Sequence, residues 1–203
     1  VRSNLREATK LLKEAGYEVR DRKLVDGSGR PVTVEILVES PSSERIALFY
    51  KPSLERIGVT ASIRIVDDAQ YENRMRSFDY DVTIGSWGQS LSPGNEQREF
   101  WGSQAADAPG SRNLIGIKNP AIDVLIEKVI FAKDRETLVA TTRALDRVLL
   151  WNHYLVPQFT YGFARYARWD RFSNAGLPKY ARSGLPSLWW FDAEKASRIG
   201  KRS

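Results

Sequence analysis

The chain has 203 residues, of which 42% are hydrophobic and 28% charged, an ordinary balance for a soluble globular fold with its own core. Lys and Arg outnumber Asp and Glu by 31 to 25, but the basic residues alternate with acids or sit in the tail, as in Arg198, Lys201 and Arg202. With no clustered basic helix face and no RNA-binding aromatic motif, a nucleic-acid partner is disfavoured, and the absence of Cys excludes a thiol nucleophile, a disulfide framework and a Cys-ligated metal.

The amino terminus starts on Val1 in a pattern that already reads as helix, without a signal-peptide signature. A piece of a longer protein is expected, with its targeting signal upstream. No apolar run approaches the roughly 18 residues of a membrane span. From Ser3, residues Leu5, Ala8, Leu11, Leu12 and Ala15 recur at helical spacing, and Gly16 supplies the stop. Residues 17–31 carry Asp26-Gly27 and Ser28-Gly29 and predict a turn in a short hairpin or loop. Val32 to Val38 is a β-branched strand, Pro41 opens a helix that ends at Gly58, and Val59 to Val66 alternates as a second strand. Asp67 caps a short helix in which Tyr71 and Met75 share a face.

A third strand is predicted from Tyr80 to Trp87. The strand, helix, strand order is a crossover unit and favours parallel pairing. Ligand sites in such sheets lie outside the carboxyl ends of the strands, where Trp87 falls. Beyond Trp87 comes a long polar loop with a second Trp at 101. Structureless connections longer than about a dozen residues are mostly functional or disordered. Asn119-Pro120 then starts a helix with Ile122, Leu125, Ile126 and Ile130 on its apolar face, and Asp134 starts another that runs through Leu138, Thr142, Leu145, Val148 and Leu149 to Trp151. Val156 to Tyr166 predicts an aromatic strand, and the chain after Asp170 predicts an irregular segment. The aromatics of that segment, Phe172, Tyr180, Trp189, Trp190 and Phe191, need a covering surface.

Catalytic constellations are missing. His153, the only histidine, has no metal-ligand spacing around it and reads as structural or surface. Ser86, Ser90, Ser92 and Ser103 have no identifiable base. Asp79 and Asp81 flank Tyr80 and are expected to pair with a Lys or Arg or to cap a turn. Gly85, Gly88 and Gly94 do not form a nucleotide-binding glycine motif, and no cofactor or metal is implied. The loop's Gln89, Ser90, Ser92, Asn95, Glu96 and Gln97, walled by Trp87 and Trp101, suit a pocket that grips a polar ligand by hydrogen bonds. Composition alone allows equally that both Trp side chains are core and that the polar residues line a solvated turn.

Several landmarks together resemble the carboxy-terminal part of an extracytoplasmic solute-binding protein of family 5, the receptors of peptide, dipeptide and nickel ABC importers. They are Ala8-x-x-Leu11-Leu12-x-x-Ala15-Gly16, Leu54-x-x-Ile57-Gly58-Val59, Tyr71-x-x-Arg74, and Phe78-Asp79-Tyr80-Asp81 leading to Trp87. Asn113, Gly116, Asn119-Pro120, Asp123 and the stretch from Leu145 through Pro157 extend the likeness over nearly the whole chain. The loop Trp87-x-Gln89-Ser90-x-Ser92-Pro93-Gly94-Asn95-Glu96-Gln97, followed by Phe100-Trp101-Gly102-Ser103, is similar to the YejA-like subgroup, whose members bind oligopeptides, murein peptides or microcin C.

The resemblance implies an α/β fold, the second lobe of a type II-like periplasmic binding protein, with a mixed sheet flanked by helices and an irregular aromatic carboxy-terminal segment. Residues 1–31 would lead into the lobe, 32–155 would form the ligand-binding lobe, and 156–203 would return toward a first lobe. The implied partners are an oligopeptide or peptide-like ligand, ABC permease subunits and that first lobe, in the periplasm or another extracytoplasmic location. No catalysis is implied. Trp87 and Trp101 would pack on the ligand, and Gln89, Ser90, Ser92, Asn95 and Asn113 would hydrogen-bond it. Arg112 would meet a carboxylate. In the oligopeptide and dipeptide receptors an acid three residues after the strand-end Trp pairs with the ligand's amino group; here that position is Ser90, and the Arg three residues before the Trp is Ile84. Glu96 would be the substitute acid. The runner-up readings are an independent interaction or hydrolase-like α/β module, which needs a nucleophile with a base, and an anion or nucleic-acid binder, which needs steep salt dependence.

Overall fold

The computed structural model describes residues 2–160, 165–176 and 187–199. The chain divides into two compact units, Val1–Leu155 and Val156–Ser203. The first opens with α1, Arg2–Glu14, which buries none of its residues fully. Gly16 ends it at a φ of 89°, while the N–H of Tyr17 reaches back to the carbonyl of Leu12 at 2.9 Å. Strands β1, Glu18–Arg20, and β2, Lys23–Val25, form an antiparallel ribbon. The turn of that ribbon is Asp21-Arg22, both with positive φ (48° and 64°), not the Asp26-Gly27 pair. Asp26 makes a second turn of its own. Its carboxylate accepts from the Ser28 hydroxyl at 2.6 Å, the Arg30 N–H at 3.1 Å and the Ser28 N–H at 2.8 Å, which together hold its pKa well below the usual carboxylate range.

The sheet that positions the site has three parallel strands in the order β4-β3-β5, with β3, Thr33–Val38, in the centre. Helix α2, Pro41–Glu55, is capped by Ser40, whose Oγ accepts from the N–H of Ser43, and it crosses to β4, Thr60–Ile65. Alternation along β3 puts Ile36 and Val38 on one face, where they pack with Ala47 of α2 and with Val34, Tyr50, Leu54, Ile63, Val82 and Ile84. Gly58 makes the passage from helix to strand possible. Its φ is +90°, and an added Cβ would lie 2.7 Å from the Leu24 backbone nitrogen, whose N–H is bonded to the Gly58 carbonyl. Gly58→Ala combines a left-handed penalty with a backbone clash and is expected to destabilise by about 3 kcal/mol. A urea midpoint unchanged from the parent would contradict this.

Helix α3, Asp68–Arg76, is capped by Asp67 as expected, the carboxylate accepting from the Gln70 N–H at 2.8 Å. The strand expected over Tyr80 to Trp87 is shorter: β5 covers only Val82–Thr83, paired to Ile36 and Leu37. Side chains account for the shortening at the amino end. Asp81 accepts the N–H of Glu35 at 2.9 Å, taking a bond that a longer strand would have used, and Arg74 bridges Glu35 (2.8 Å) and Asp79 (3.0 Å). Asp79 therefore pairs with an Arg as expected, whereas Asp81 is structural in another way, accepting a backbone N–H of the neighbouring strand. Tyr71 anchors the strand end through its hydroxyl, 2.9 Å from Thr83 Oγ1, and its pKa is raised mainly by burial.

After the loop come α4, Glu96–Trp101, a short 3-10 turn over Ser103–Ala105, α5, Pro120–Ile130, and α6, Arg135–Trp151. Asn119 caps α5 through Ala121 N–H, and Asp134 caps α6 through Thr137 N–H. A second core forms here from Phe100, Trp101, Ile117, Ile122, Ile126, Val129 and Leu145.

In the second unit, residues 156–160, 165 and 166 are not strand; the remainder of the aromatic strand expected there lies outside the described residues. The segment expected to be irregular contains a ribbon of β6, Phe172–Ser173, and β7, Trp190–Phe191, and a helix α7, Ala193–Ile199. Phe172 and Phe191 meet edge to face at 6.4 Å, and Asp192 accepts from Ser173 Oγ at 2.6 Å and from the Lys195 N–H at 3.0 Å. Tyr180 lies outside the described residues. Among the described residues no helix is long and apolar enough to cross a membrane.

Candidate functional site

The loop leaves the sheet at the carboxyl end of β5 and is fastened at several points, so it is an ordered wall. Trp87 is half-buried. Its indole lies over Gly85, where a Cβ would approach the ring to 3.4 Å, and its Nε1 donates to the Arg112 carbonyl at 3.0 Å. Trp87 also packs on Trp101 with ring centroids 4.9 Å apart and a 42° tilt, and Trp101 meets Phe100 edge to face at 6.0 Å. Trp101 is only 7% exposed, and its Nε1 donates to Gln97 Oε1 at 3.1 Å. The two tryptophans thus combine the alternatives left open by composition. Trp101 is core with an edge at the site, and Trp87 carries the ring surface outward.

Gln97, 3% exposed, is the hub of the loop. Its amide nitrogen donates to Gln89 Oε1 at 2.8 Å and to Glu96 Oε1 at 3.1 Å. Glu96 also accepts from the Gly94 N–H at 2.9 Å. Burial pushes its pKa up, but the hydrogen bonds from Gly94, its own backbone and Gln97 outweigh that and leave it lowered. Asn113 is 0% exposed; its amide donates to the carbonyls of Gly102 and Ile117, both at 3.0 Å, and its Oδ1 accepts from the Ile117 N–H at 2.9 Å. Asp123 reaches back from α5 to take Ser103 N–H at 2.9 Å and Ser103 Oγ at 2.6 Å.

A groove of about 490 Å³ runs between this loop and α6. Of the residues singled out from the sequence, Trp87, Gln89, Ser90 and Trp101 line it, while Ser92, Asn95, Glu96, Arg112 and Asn113 do not. Their other commitments explain why. Asn113 is a fully satisfied internal clamp and is corrected from ligand contact to loop organiser. Arg112 lies over the Phe100 ring at 4.6 Å, Asn95 accepts from Arg98 at 3.2 Å, Glu96 is tied to its neighbours, and the Ser92 N–H turns back to Ser90 Oγ at 3.1 Å. Ile84 is part of the sheet core. His153 is exposed and lines nothing here.

The opposite wall was not singled out from the sequence. It consists of Arg135, Leu138, Val139, Thr142, Arg143, Asp146 and Leu149 of α6, with Leu145 beneath. Leu138, Thr142, Leu145 and Leu149 belong to the helix's predicted apolar face, and Val139, Arg143 and Asp146 extend that face by the same three- and four-residue spacing. The missed signal was the width of that stripe, which exceeds what one packed neighbour can cover. Arg135 straps the walls together by donating from Nη1 to the Leu91 carbonyl.

Residues 2–108 match the family described as bacterial extracellular solute-binding proteins, family 5 middle. The chain is 54% identical over 191 residues to the uncharacterised protein y4wM of Sinorhizobium fredii, covering 93% of this chain and 29% of that protein. It is 53% identical over 191 residues to the probable peptide-binding protein YejA of Agrobacterium fabrum, covering 93% of this chain and 31% of that protein. The chain therefore spans about a third of the length of these relatives. Among solved structures, the oligopeptide-binding protein AppA of Bacillus subtilis, in complex with a nonapeptide, superposes with a TM-score of 0.70 at 19% identity over 92% of this chain and 37% of AppA. That likeness carries the fold, the α/β lobe of a periplasmic binding protein. With the family matched over more than half of the residues and the relatives matched over nearly all of them, the chain belongs to the bacterial extracellular solute-binding proteins of family 5.

Proposed function

We propose that this chain supplies one wall of the ligand cleft of an extracytoplasmic receptor that captures oligopeptides or peptide-like solutes and hands them to ABC permease subunits, without catalysis. The observation that carries the reading is the groove in which the Trp87 ring, backed by Trp101, faces the apolar stripe of α6 with Gln89 and Ser90 at its edge. An aromatic and aliphatic slot with a few hydrogen-bonding groups suits a ligand with alternating side chains and amide groups. Support comes also from the relatives, one named a probable peptide-binding protein, and from a structural neighbour solved with a nonapeptide. Residues 32–155 would be the ligand-binding lobe, reached through residues 1–31, and 156–203 would return toward a first lobe of the same protein. The family's extracellular role supports placement in the periplasm or another extracytoplasmic location.

Calorimetry of the full-length receptor that carries this chain, against a panel of di- to nonapeptides, tests the reading; the isolated chain, with one wall of the cleft, is expected to bind weakly or not at all. Binding that weakens about 5- to 150-fold in Trp87→Ala is the expected result, because a stacked aromatic wall is worth about 1–3 kcal/mol. Absence of heat with every peptide, for a protein with an intact melting transition, would reject it.

A further inference from the structure

The hydrogen-bonding sense of the groove's edge is decided one layer behind it, at Gln97 of α4. An indole N–H only donates and an ionised carboxylate only accepts, so Trp101 and Glu96 together leave the buried Gln97 amide a single orientation. Its Oε1 takes the Trp101 Nε1 proton at 3.1 Å, and its Nε2 gives one proton to Glu96 Oε1 at 3.1 Å. The second Nε2 proton goes to Gln89 Oε1 at 2.8 Å. That bond fixes the next amide in turn. With Gln89 turned over, two amide nitrogens would face each other and a buried N–H would lose its acceptor. Gln89 therefore keeps its oxygen toward Gln97, and its Nε2, which bonds to no other described residue, is left for the groove that Gln89 lines.

We propose that Gln97 is a positioning residue that carries the donor sense of the Trp101 indole through two amides, so that Gln89 meets the ligand as a hydrogen-bond donor and not as an acceptor. This deepens the proposed function and rests on it. What it adds is a rule for the ligand atom that can sit at this edge: an acceptor oxygen is held, and an N–H in the same place faces another N–H. A glutamine amide held by nothing turns over at little cost and serves either group. The hub removes that freedom, and it does so before any ligand arrives, because all its partners belong to the loop and α4.

Exchanging two neighbouring side chains reverses the relay while conserving charge and composition. In the double variant Glu96→Gln/Gln97→Glu the carboxylate moves to position 97, where it accepts from the Trp101 indole and from the amide now at position 96. Its oxygen also faces Gln89, whose amide turns over to donate inward and so presents Oε1 to the groove. Gln97→Met keeps the length of the side chain but has neither its donor nor its acceptor, and it leaves Gln89 free to turn.

The test is calorimetry on the full-length receptor with the tightest-binding member of the di- to nonapeptide panel. Each amide of that peptide is remade in turn, either as a thioamide, which weakens the acceptor, or N-methylated, which removes the donor. In the parent, one amide is expected at which the thioamide lowers affinity about fivefold and the N-methyl group changes it by about twofold or less, the size of one hydrogen bond. In the double variant that thioamide penalty is expected to vanish and an N-methyl penalty of similar size to appear at the same or the adjoining amide. In Gln97→Met both penalties are expected to fall to about twofold or less. Melting curves report folding, and the Met variant, which buries no charge, decides the question if the double variant does not fold. A purely structural Gln97 would weaken every analogue alike and leave the parental preference in place, which overturns the inference. A parent with no amide that discriminates between the two changes overturns it as well, and in both cases peptide binding stands. Failure of the whole panel overturns the proposed function and this inference with it.

Discussion

Asn113→Ala is expected to lower the stability of the first unit by about 3–5 kcal/mol, which for a chain of this size corresponds to a fall of roughly 10 °C in the thermal midpoint. The size follows from what the side chain does. At 0% exposure it satisfies the carbonyls of Gly102 and Ile117 and the N–H of Ile117, and removing the amide leaves these three buried backbone groups without their protein partner. Each buried orphan costs about 1–3 kcal/mol. The clamp ties the end of α4 to the segment before α5, so the groove's aromatic wall should loosen with it. Differential scanning calorimetry checks the size, and a midpoint within about 2 °C of the parent would show that the loop is held elsewhere. Asn113→Asp is the informative companion, since it keeps the acceptor for Ile117 N–H while losing both donors.

Trp101→Ala should be of similar magnitude for a different reason. Removing a ring that is 7% exposed among Phe100, Trp87 and the α5 and α6 side chains leaves a cavity, at a cost of about 3–5 kcal/mol. It also strips Gln97 Oε1 of its donor inside the core. Trp101→Phe retains much of the packing but not the N–H, and is expected to cost about 1–3 kcal/mol. A Phe variant as damaged as Ala would assign the effect to the hydrogen bond; a Phe variant close to the parent would assign it to packing. Equilibrium urea unfolding separates the cases. With Trp101 gone, the Trp87 ring loses its backing at 4.9 Å, so peptide affinity should fall even where the fold survives.

The landmarks that carried the family resemblance have visible structural work. Gly16 and Gly58 take positive φ at helix ends, Asn119 caps α5, and Asp123 holds Ser103 beside the loop, while Asp67 and Asp134, read separately as helix starts, cap α3 and α6. Such residues are legible because their roles are local: a cap or a left-handed turn is decided within four or five residues. The crossover from β3 through α2 to β4 was legible for the same reason, since periodicity changes from two to 3.6 and back at Pro41 and Gly58. What was not legible depends on contacts distant in the chain. The third strand is shortened at its amino end by the Asp81 bond to Glu35, 46 residues away, and by Arg74. Asn113 looked like a ligand contact because a polar residue in a loop gives no sign of whether it faces solvent or the loop's own backbone.

The sequence alone determined α1, α2, α3, α5 and α6, the caps Asp67, Asn119 and Asp134, the parallel crossover and the family, because each rests on local pattern or on several short motifs in a fixed order; α4 and α7 were not legible in it. It also marked Trp87 and its loop as the candidate site. Tertiary structure decided which residues face the groove. It set Trp101 into the core, turned Arg112, Asn113 and Glu96 to internal partners, and brought Arg143 and Asp146 opposite Gln89 and Ser90. That division has a physical origin. Backbone preference and hydrophobic period act between near neighbours, whereas the direction of a polar side chain is settled by which distant donor or acceptor would otherwise be left buried without a partner.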